Sequence, residues 1–224
     1  MQAPDAPDFG AASDGDGDRY MILGKNFFVN PSDSLAVLAE HLQKLSWYQK
    51  KFYGIARSAP TSNAVDLVAK RKKLPVYVTP TGWKFFGSLL ENKKIALCGE
   101  ESFGAGSFHV MEKDGLWAIL AWLNIIALTH KTPEQLVTEL WKKDGRVYYR
   151  RHNYEEVDAG AAQQLMEALK KRLPSLKKQR LGCFTVKAAQ VFSYTDPVTQ
   201  ETANNQGILI TLSEGAFIMA RLSG

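Results

Sequence analysis

Val76-Tyr77-Val78-Thr79-Pro80-Thr81-Gly82-Trp83-Lys84 and, one helix later, Ile95-Ala96-Leu97-Cys98-Gly99-Glu100-Glu101 decide the fold class of this chain. The first stretch is a β-rich run closed by proline, with a helix expected to start near Thr81-Gly82. The second is a short apolar strand that leads into a Gly-rich loop. Upstream, Thr61-Ser62-Asn63 reads as the cap of a helix that runs through Val65 and Val68 to Lys70 through Lys73. Cations at that end suit the helix dipole. Further upstream, Asn30-Pro31-Ser32-Asp33 is turn and N-cap chemistry ahead of Leu35, Leu38, Leu42 and Leu45 at helical spacing. Tyr20-Met21-Ile22-Leu23 reads as a short buried strand ending at Gly24, and Gln2 to Ser13 as a strand and turn.

Downstream, Leu116 to Leu128 is the most apolar stretch. A membrane span needs about 20 apolar residues. This run is shorter, holds Asn124 and follows Glu112-Lys113-Asp114, so it reads as a buried core helix. Thr132-Pro133-Glu134-Gln135 supplies cap, N1 proline and N3 glutamine for a helix to about Asp144, closed by Gly145. Strands alternating with helices indicate an α/β unit with a mixed or parallel sheet. The pattern changes after Gly145. Arg146 to Arg151 reads as a strand and Val157 to Leu173 as a helix. Gly207 to Leu212 and Ala216 to Leu222 flank Ser213-Glu214-Gly215 as a hairpin. The second unit is therefore α+β.

The 224 residues are 45% hydrophobic and 11% aromatic, which fits a folded chain. The net charge of +5 is a mild excess, compatible with a phosphorylated substrate and too small to argue for nucleic acid. Two cysteines, Cys98 and Cys183, make neither a disulfide framework nor a zinc site, and a reduced, cytoplasmic setting is expected. Residues 2 to 19 lack the basic-then-apolar pattern of a signal peptide.

Chemistry concentrates in Asp14-Gly15-Asp16-Gly17-Asp18-Arg19. Three close carboxylates repel one another without a cation, and hard cations such as Mg²⁺ prefer carboxylate oxygen. The two glycines let the backbone bring the side chains together. An EF-hand needs Gly at loop position 6 and Glu at position 12, where this chain has Arg19 and Lys25. A calcium-binding β-helix repeat needs more than one copy. The competing reading is a solvated acidic turn. Arg19 adds a cation suited to a phosphoryl group.

Gly99-Glu100-Glu101-Ser102-Phe103-Gly104-Ala105-Gly106-Ser107 can accept hydrogen bonds from sugar hydroxyls through its carboxylates. Taken alone, a turn with two exposed glutamates is an equally fair reading. Thr81-Gly82-Trp83-Lys84 suits a sugar or phosphate, or is a core tryptophan with a helix cap. Lys113 could pair with phosphate or lie on the surface. The four histidines, His41, His109, His130 and His152, show no metal-ligand spacing.

Together these segments resemble the phosphoglucomutase branch of the α-D-phosphohexomutases. The resemblance rests on Asp14 to Arg19, Thr79 to Gly87, Leu97 to Gly104 and Glu112 to Ala118. Ala56-Arg57-Ser58, Pro60-Thr61-Ser62, Tyr154 to Val157 and Asn205-Gln206-Gly207 support it in the same order. It implies a mixed-sheet sugar-binding domain of phosphohexomutase type, followed by an α+β C-terminal domain. Residues 1–27 would be the end of a metal-binding domain two, 28–145 domain three, and 146–224 a C-terminal domain that stops before its phosphate-binding loop. The implied activity is interconversion of glucose 1-phosphate and glucose 6-phosphate, with Mg²⁺ as cofactor and glucose 1,6-bisphosphate as intermediate.

By the same resemblance Asp14, Asp16 and Asp18 hold the metal. Asp18, Arg19, Thr81, Glu100, Ser102 and Lys113 meet the substrate. The implied partner is a hexose phosphate, with no nucleic acid and no membrane, and the complete enzyme is expected to be a monomer. The family's nucleophilic serine lies in a Thr-Ala-Ser-His-Asn run that these 224 residues do not contain, so no catalytic nucleophile is assigned. The chain alone is expected to be inactive; the alternative is a non-catalytic metal- and sugar-phosphate-binding module. Phe108, where the family tends to have Asp, is expected to alter hydration of the sugar loop.

Overall fold

The structure is a computed structural model that describes residues 1–223. Gly224, the end of the Arg221-Leu222-Ser223-Gly224 run, lies outside the described residues. The chain forms two compact units, Met1–Tyr149 and the residues from Arg150 onward.

The first unit opens with β1 (Phe9–Ser13), β2 (Tyr20–Gly24) and β3 (Phe27–Val29), an antiparallel sheet in the order β1-β2-β3. There follow α1 (Pro31–His41), β4 (Ile55–Ser58), α2 (Ala64–Lys72), β5 (Val76–Thr79), α3 (Trp83–Glu91), β6 (Leu97–Gly99), β7 (Ala105–Ser107), α4 (Gly115–Thr129) and α5 (Pro133–Asp144). The second sheet runs β5-β4-β6-β7, with β4 parallel to β5 and β6, and β7 antiparallel to β6.

The central strands β4 and β6 are buried throughout. Their side chains alternate between two apolar layers, as the strand period requires. Ile55 and Leu97 join the layer built from Leu35 of α1, Val65 and Val68 of α2, and Trp122 of α4. Ala56 and Cys98 join Phe86, Leu89 and Leu90 of α3. Helices therefore cover both faces of a mixed sheet, in agreement with the α/β reading of the sequence. In such sheets the crevice at the carboxyl ends of parallel strands, where successive connections leave for opposite faces, is the ordinary place for a ligand.

Residues 1–27 do not stand apart from this unit. Tyr20 and Ile22 are buried in the same core as α1 and α4. Ser34 Oγ takes the indole N–H of Trp122 at 2.8 Å and meets Tyr20 Oη at 2.7 Å, which ties α1, α4 and β2 at one buried point. Burial pushes the Tyr20 phenol up to about 12, against the smaller opposing effect of Ser34.

Local signals act as the sequence suggests. The Asn30 side chain accepts from Ser32 N at 2.9 Å, and Asp114 caps α4 by accepting from Trp117 N at 2.8 Å. Thr132 and Gln135 form a reciprocal capping box at the start of α5; such caps contribute about 1 kcal/mol each.

Two expectations are corrected. The apolar helix α4 is a core helix on one face only. Trp122 and Ile125 are fully buried, but Leu116 and Leu120 are 59% and 58% exposed, and Leu123 and Leu128 are exposed beside them. No helix among the described residues is long and apolar enough to cross a membrane. The run Arg146 to Arg151 carries no strand. Its β-prone Val147-Tyr148-Tyr149 core reads like a strand, yet the Arg146 guanidinium sits 4.0 Å from the Trp141 ring centroid and 4.7 Å from that of Tyr148. The segment thus supports cation–π stacking in place of strand pairing.

The second unit is α+β, as expected. It contains α6 (Ala159–Leu176), β8 (Arg180–Leu181), β9 (Phe184–Val191), β10 (Tyr194–Thr195), β11 (Thr202–Ala203), β12 (Ile208–Leu212) and β13 (Phe217–Ala220). An antiparallel sheet runs β13-β12-β9-β8, and β10 pairs with β11. Met166 and Leu173 of α6 pack with Ile208 of β12, in line with one apolar face on a long helix. The β12–β13 hairpin turns through Ser213–Gly215, with Glu214 at φ 57°.

Candidate functional site

Three loops leave the carboxyl ends of the parallel strands: Ala59–Asn63 after β4, Pro80–Gly82 after β5 and Glu100–Gly104 after β6. The Asp loop lies against the third of them. Arg19 forms a bridge with Gly104, and Tyr20 N donates to Phe103 O at 3.0 Å. On its other side Gly115 N donates to Gly17 O at 3.0 Å. A Cβ at Gly115 would collide with the carbonyl oxygens of Arg19 and Gly17, so only glycine permits this approach. Gly115→Ala is expected to lower the stability of the first unit by about 1–3 kcal/mol through overpacking. A urea titration would show this as a lower midpoint at unchanged slope.

Within the loop, Asp14, Asp16 and Asp18 each offer a carboxylate oxygen within 4.8 Å of the others. Asp14 and Asp16 are exposed and Asp18 is half-buried. Asp14 is held below the usual carboxylate range by the backbone N–H of Arg19, which donates to its Oδ1 at 3.1 Å; partial desolvation works the other way. Asp18 Oδ1 is buried with no hydrogen-bond partner. An orphaned carboxylate oxygen beside two further carboxylates fits a hard divalent cation.

The site residues of the sequence reading come together. The Lys113 ammonium pairs with Asp18 Oδ2. Its stem crosses Gly104, where a Cβ would meet Lys113 Cδ and stand 3.5 Å from Glu100 Oε2. Glu100 Oε2 in turn receives Ser102 Oγ at 3.5 Å, and Glu100 Oε1 receives the Gly82 N–H at 3.3 Å. Thr81, next to Gly82, has a buried hydroxyl without a partner. Asp18 with Lys113, and Glu100 with Gly82 beside Thr81, therefore lie on either side of Gly104. Arg19 stands 3.8 Å from both Asp14 Oδ2 and Asp18 Oδ1 with its side chain 55% exposed.

These positions settle several open readings. Glu100 and Glu101 are 7% and 4% exposed, so the loop is not a solvated turn. Lys113 is 19% exposed and committed to the Asp loop. Phe108 packs against the apolar layer that holds Phe86 and Cys98, sits edge-on to Tyr48 with centroids 5.4 Å apart, and lies 5.5 Å from Lys51 Nζ. Sequence reasoning missed the Gly82 N–H, the close approach at Gly115, and the role of Thr61. Read as a helix cap, Thr61 instead accepts the N–H of Glu101 at 2.9 Å. The glycine beside Asp114 was the one visible hint of a tight contact.

Comparison with known proteins agrees with this geometry. The family model described as phosphoglucomutase/phosphomannomutase, alpha/beta/alpha domain III, matches residues 30–143, and that of the phosphoglucomutase-1 C-terminal domain matches residues 146–224. A phosphoglucomutase of Rhizobium radiobacter is 52% identical over 224 residues, covering 100% of this chain and 41% of that protein. Human phosphoglucomutase-1 is 49% identical over 225 residues, covering 97% and 40%. The crystal structure of parafusin, a phosphoglucomutase from Paramecium in an open form, superposes with a TM-score of 0.87 at 47% identity over 97% of this chain and 38% of that one. A phosphomannomutase from Thermus thermophilus shares the fold, with a TM-score of 0.68 at 23% identity over 98% of this chain and 41% of that one. The chain thus spans about two fifths of the length of these relatives. Matched along its length by two consecutive domains of one enzyme family, in the order the loops require, the chain belongs to the phosphoglucomutase/phosphomannomutase family.

Proposed function

We propose that this chain is the metal- and sugar-phosphate-binding part of a phosphoglucomutase, which interconverts glucose 1-phosphate and glucose 6-phosphate through glucose 1,6-bisphosphate. The supporting observation is the clustering of the three carboxylates with Lys113 beside Gly104, whose other flank holds Glu100 and Gly82 next to Thr81. Asp14, Asp16 and Asp18 would hold Mg²⁺, which when bound supplies Lewis-acid stabilisation of charge on a phosphoryl group. Arg19 and Lys113 place two cations where a phosphate would approach that centre. Glu100 has lone pairs beyond those used by Gly82 and Ser102, and can accept from sugar hydroxyls. The Thr81 hydroxyl can donate to one phosphate or sugar oxygen and accept from another group.

Group transfer through a phosphoserine needs a nucleophile, and the 224 residues hold no Thr-Ala-Ser-His-Asn run to supply it. The chain's own share of the reaction is then to bind, orient and neutralise. Calorimetry of residues 1–224 with glucose 1,6-bisphosphate should show binding that strengthens when Mg²⁺ is present, and a coupled assay should show no mutase turnover. Absence of binding at millimolar ligand would overturn the proposal. Turnover near that of a complete relative would overturn the assigned need for the missing serine. A reducing, cytoplasmic setting is inferred from two free cysteines, Cys98 buried and Cys183 exposed.

A further inference from the structure

Glu101 follows Glu100 in the chain but has partners of its own. It is 4% exposed, beside the fully buried hydroxyls of Ser58 and Thr61. Ser58 ends β4, and Thr61 lies in the loop after it. The Glu101 N–H donates to Thr61 Oγ1 at 2.9 Å. Thr61 Oγ1 and Ser58 Oγ are 2.6 Å apart, and Ser58 Oγ donates to Glu101 Oε2 at 2.9 Å.

Each hydroxyl has one proton to give and can also accept. Thr61 accepts from Glu101 N, and both hydroxyls lie within reach of Glu101 Oε2, Ser58 Oγ at 2.9 Å and Thr61 Oγ1 at 3.3 Å. The bonds form a closed ring that leaves Glu101 through its backbone and returns through its side chain. Bonds chained in this way polarise one another.

The ring is itself anchored. Arg57 donates to both carboxylate oxygens of Asp66, at 2.7 and 2.8 Å, and to the Thr61 carbonyl at 3.0 Å. The backbone of Thr61 is thereby fixed to α2. The other end of the loop is fixed by Glu100 N, which donates to Gly104 O at 2.9 Å. Glu100 is thus held between a hydrogen-bonded turn and a buried ring.

From this arrangement we infer that Thr61 and Glu101 are positioning residues for Glu100. They set the aim of the sugar-facing carboxylate without touching the ligand. The inference rests on the sugar-phosphate reading of the site for its consequence, but the ring can be tested without any sugar. Thr61→Val keeps the shape and removes the hydroxyl; Thr61→Ser keeps the hydroxyl. In Thr61→Val, amide hydrogen exchange of Glu100 to Phe103 should accelerate about tenfold or more, because a buried N–H loses its acceptor. Exchange in α4 and α5 should stay as it was. Glucose 1,6-bisphosphate affinity should fall about tenfold, while Mn²⁺ binding at the Asp loop, read by electron paramagnetic resonance, should change less than about twofold. Thr61→Ser should restore both the exchange protection and the affinity.

Unchanged exchange at the loop in Thr61→Val would overturn the inference. So would loss of Mn²⁺ and sugar binding together with general acceleration of exchange, which marks a merely structural role. If the unsubstituted chain binds no bisphosphate, the sugar-phosphate reading fails, and the exchange result then decides the ring by itself.

Discussion

Asp16→Asn and Asp18→Asn are each expected to weaken divalent-cation binding by about a hundredfold or more. Titration with Mn²⁺ or calorimetry with Mg²⁺ would measure this. The three oxygens that can converge on one ion lie within 4.8 Å of each other, and each substitution removes a full charge from that set. Asn keeps an oxygen ligand and nearly the same volume, so a loss reports charge, not shape. Asp18 carries a second consequence, since its Oδ2 holds Lys113. Asp18→Asn should therefore also loosen Lys113, whereas Asp16→Asn should leave it in place. Lys113→Met has the opposite sign. It removes a cation that competes for Asp18, so Mn²⁺ should bind more tightly while the bisphosphate binds more weakly. Equal Mn²⁺ affinity in all four proteins would show that the loop is a solvated acidic turn.

The second large effect concerns stability. Glu40 ends in a cluster that joins α1, α2 and α5. Its carboxylate accepts from Arg71 at 2.8 Å and from Lys143 at 2.8 Å, with Lys72 at 3.7 Å, and only 11% of the side chain is exposed. Arg71 also holds Asp144 through two bonds, at 2.6 and 2.8 Å. Removing one partner of a buried network leaves the other charges uncompensated, at about 3–5 kcal/mol. Glu40→Ala should sit near the lower end, about 3 kcal/mol, because Lys143 is half-exposed and can turn to water. For a unit of this size that is roughly 10 °C in melting temperature.

The same corner makes the fold acid-sensitive in two steps. Burial, then the Lys44 charge beside it, push the His41 imidazole down to about 4 from 6.5, with Glu40 opposing. The unfolded chain therefore takes up this proton first as pH falls, and stability is lost between about 6.5 and 4. Burial alone would raise the Glu40 carboxyl. Hydrogen bonds from Lys143 and Arg71, with the charges of Lys72 and Arg71, outweigh it and hold Glu40 at about 2, below its ordinary 4.5. The stability from Glu40 is complete above about 4.5 and is lost as pH falls through about 2. Urea titrations across this range should show both limbs. Glu40→Gln should flatten the lower limb and His41→Gln the upper one; an unchanged profile in either variant would sink its assignment.

Much of this was legible in the linear chain where the physics is local. Asp14 to Asp18 announced a convergent carboxylate loop because charge repulsion and glycine spacing act between near neighbours. Thr132-Pro133-Glu134-Gln135 announced a helix start because a capping box spans one turn. Where two local explanations compete, the sequence could not choose. Arg146 to Arg151 is rich in β-prone residues, and only the neighbouring Trp141 shows that its arginine is stacked. Leu116 to Leu128 is apolar all round, so its pattern could not say that Leu116, Leu120, Leu123 and Leu128 face outward. Thr61 looked like a cap because Asn63 and helix-forming residues follow it; its true partner is 40 residues away.

The sequence by itself indicated the alternation of strands and helices in the first unit, the change from α/β to α+β near residue 146, and the clustering of Asp14, Asp16 and Asp18. Each depends on chemistry between near neighbours in the chain. The tertiary structure alone decided that Lys113 meets Asp18, that Glu100 faces Gly82, and that Ser58, Thr61 and Glu101 close a ring. Apart from that between Ser58 and Thr61, those contacts join residues 18 to 95 positions apart. They exist because parallel strands β4, β5 and β6 end at one edge, a proximity set by sheet register and crossover connections that no local pattern encodes.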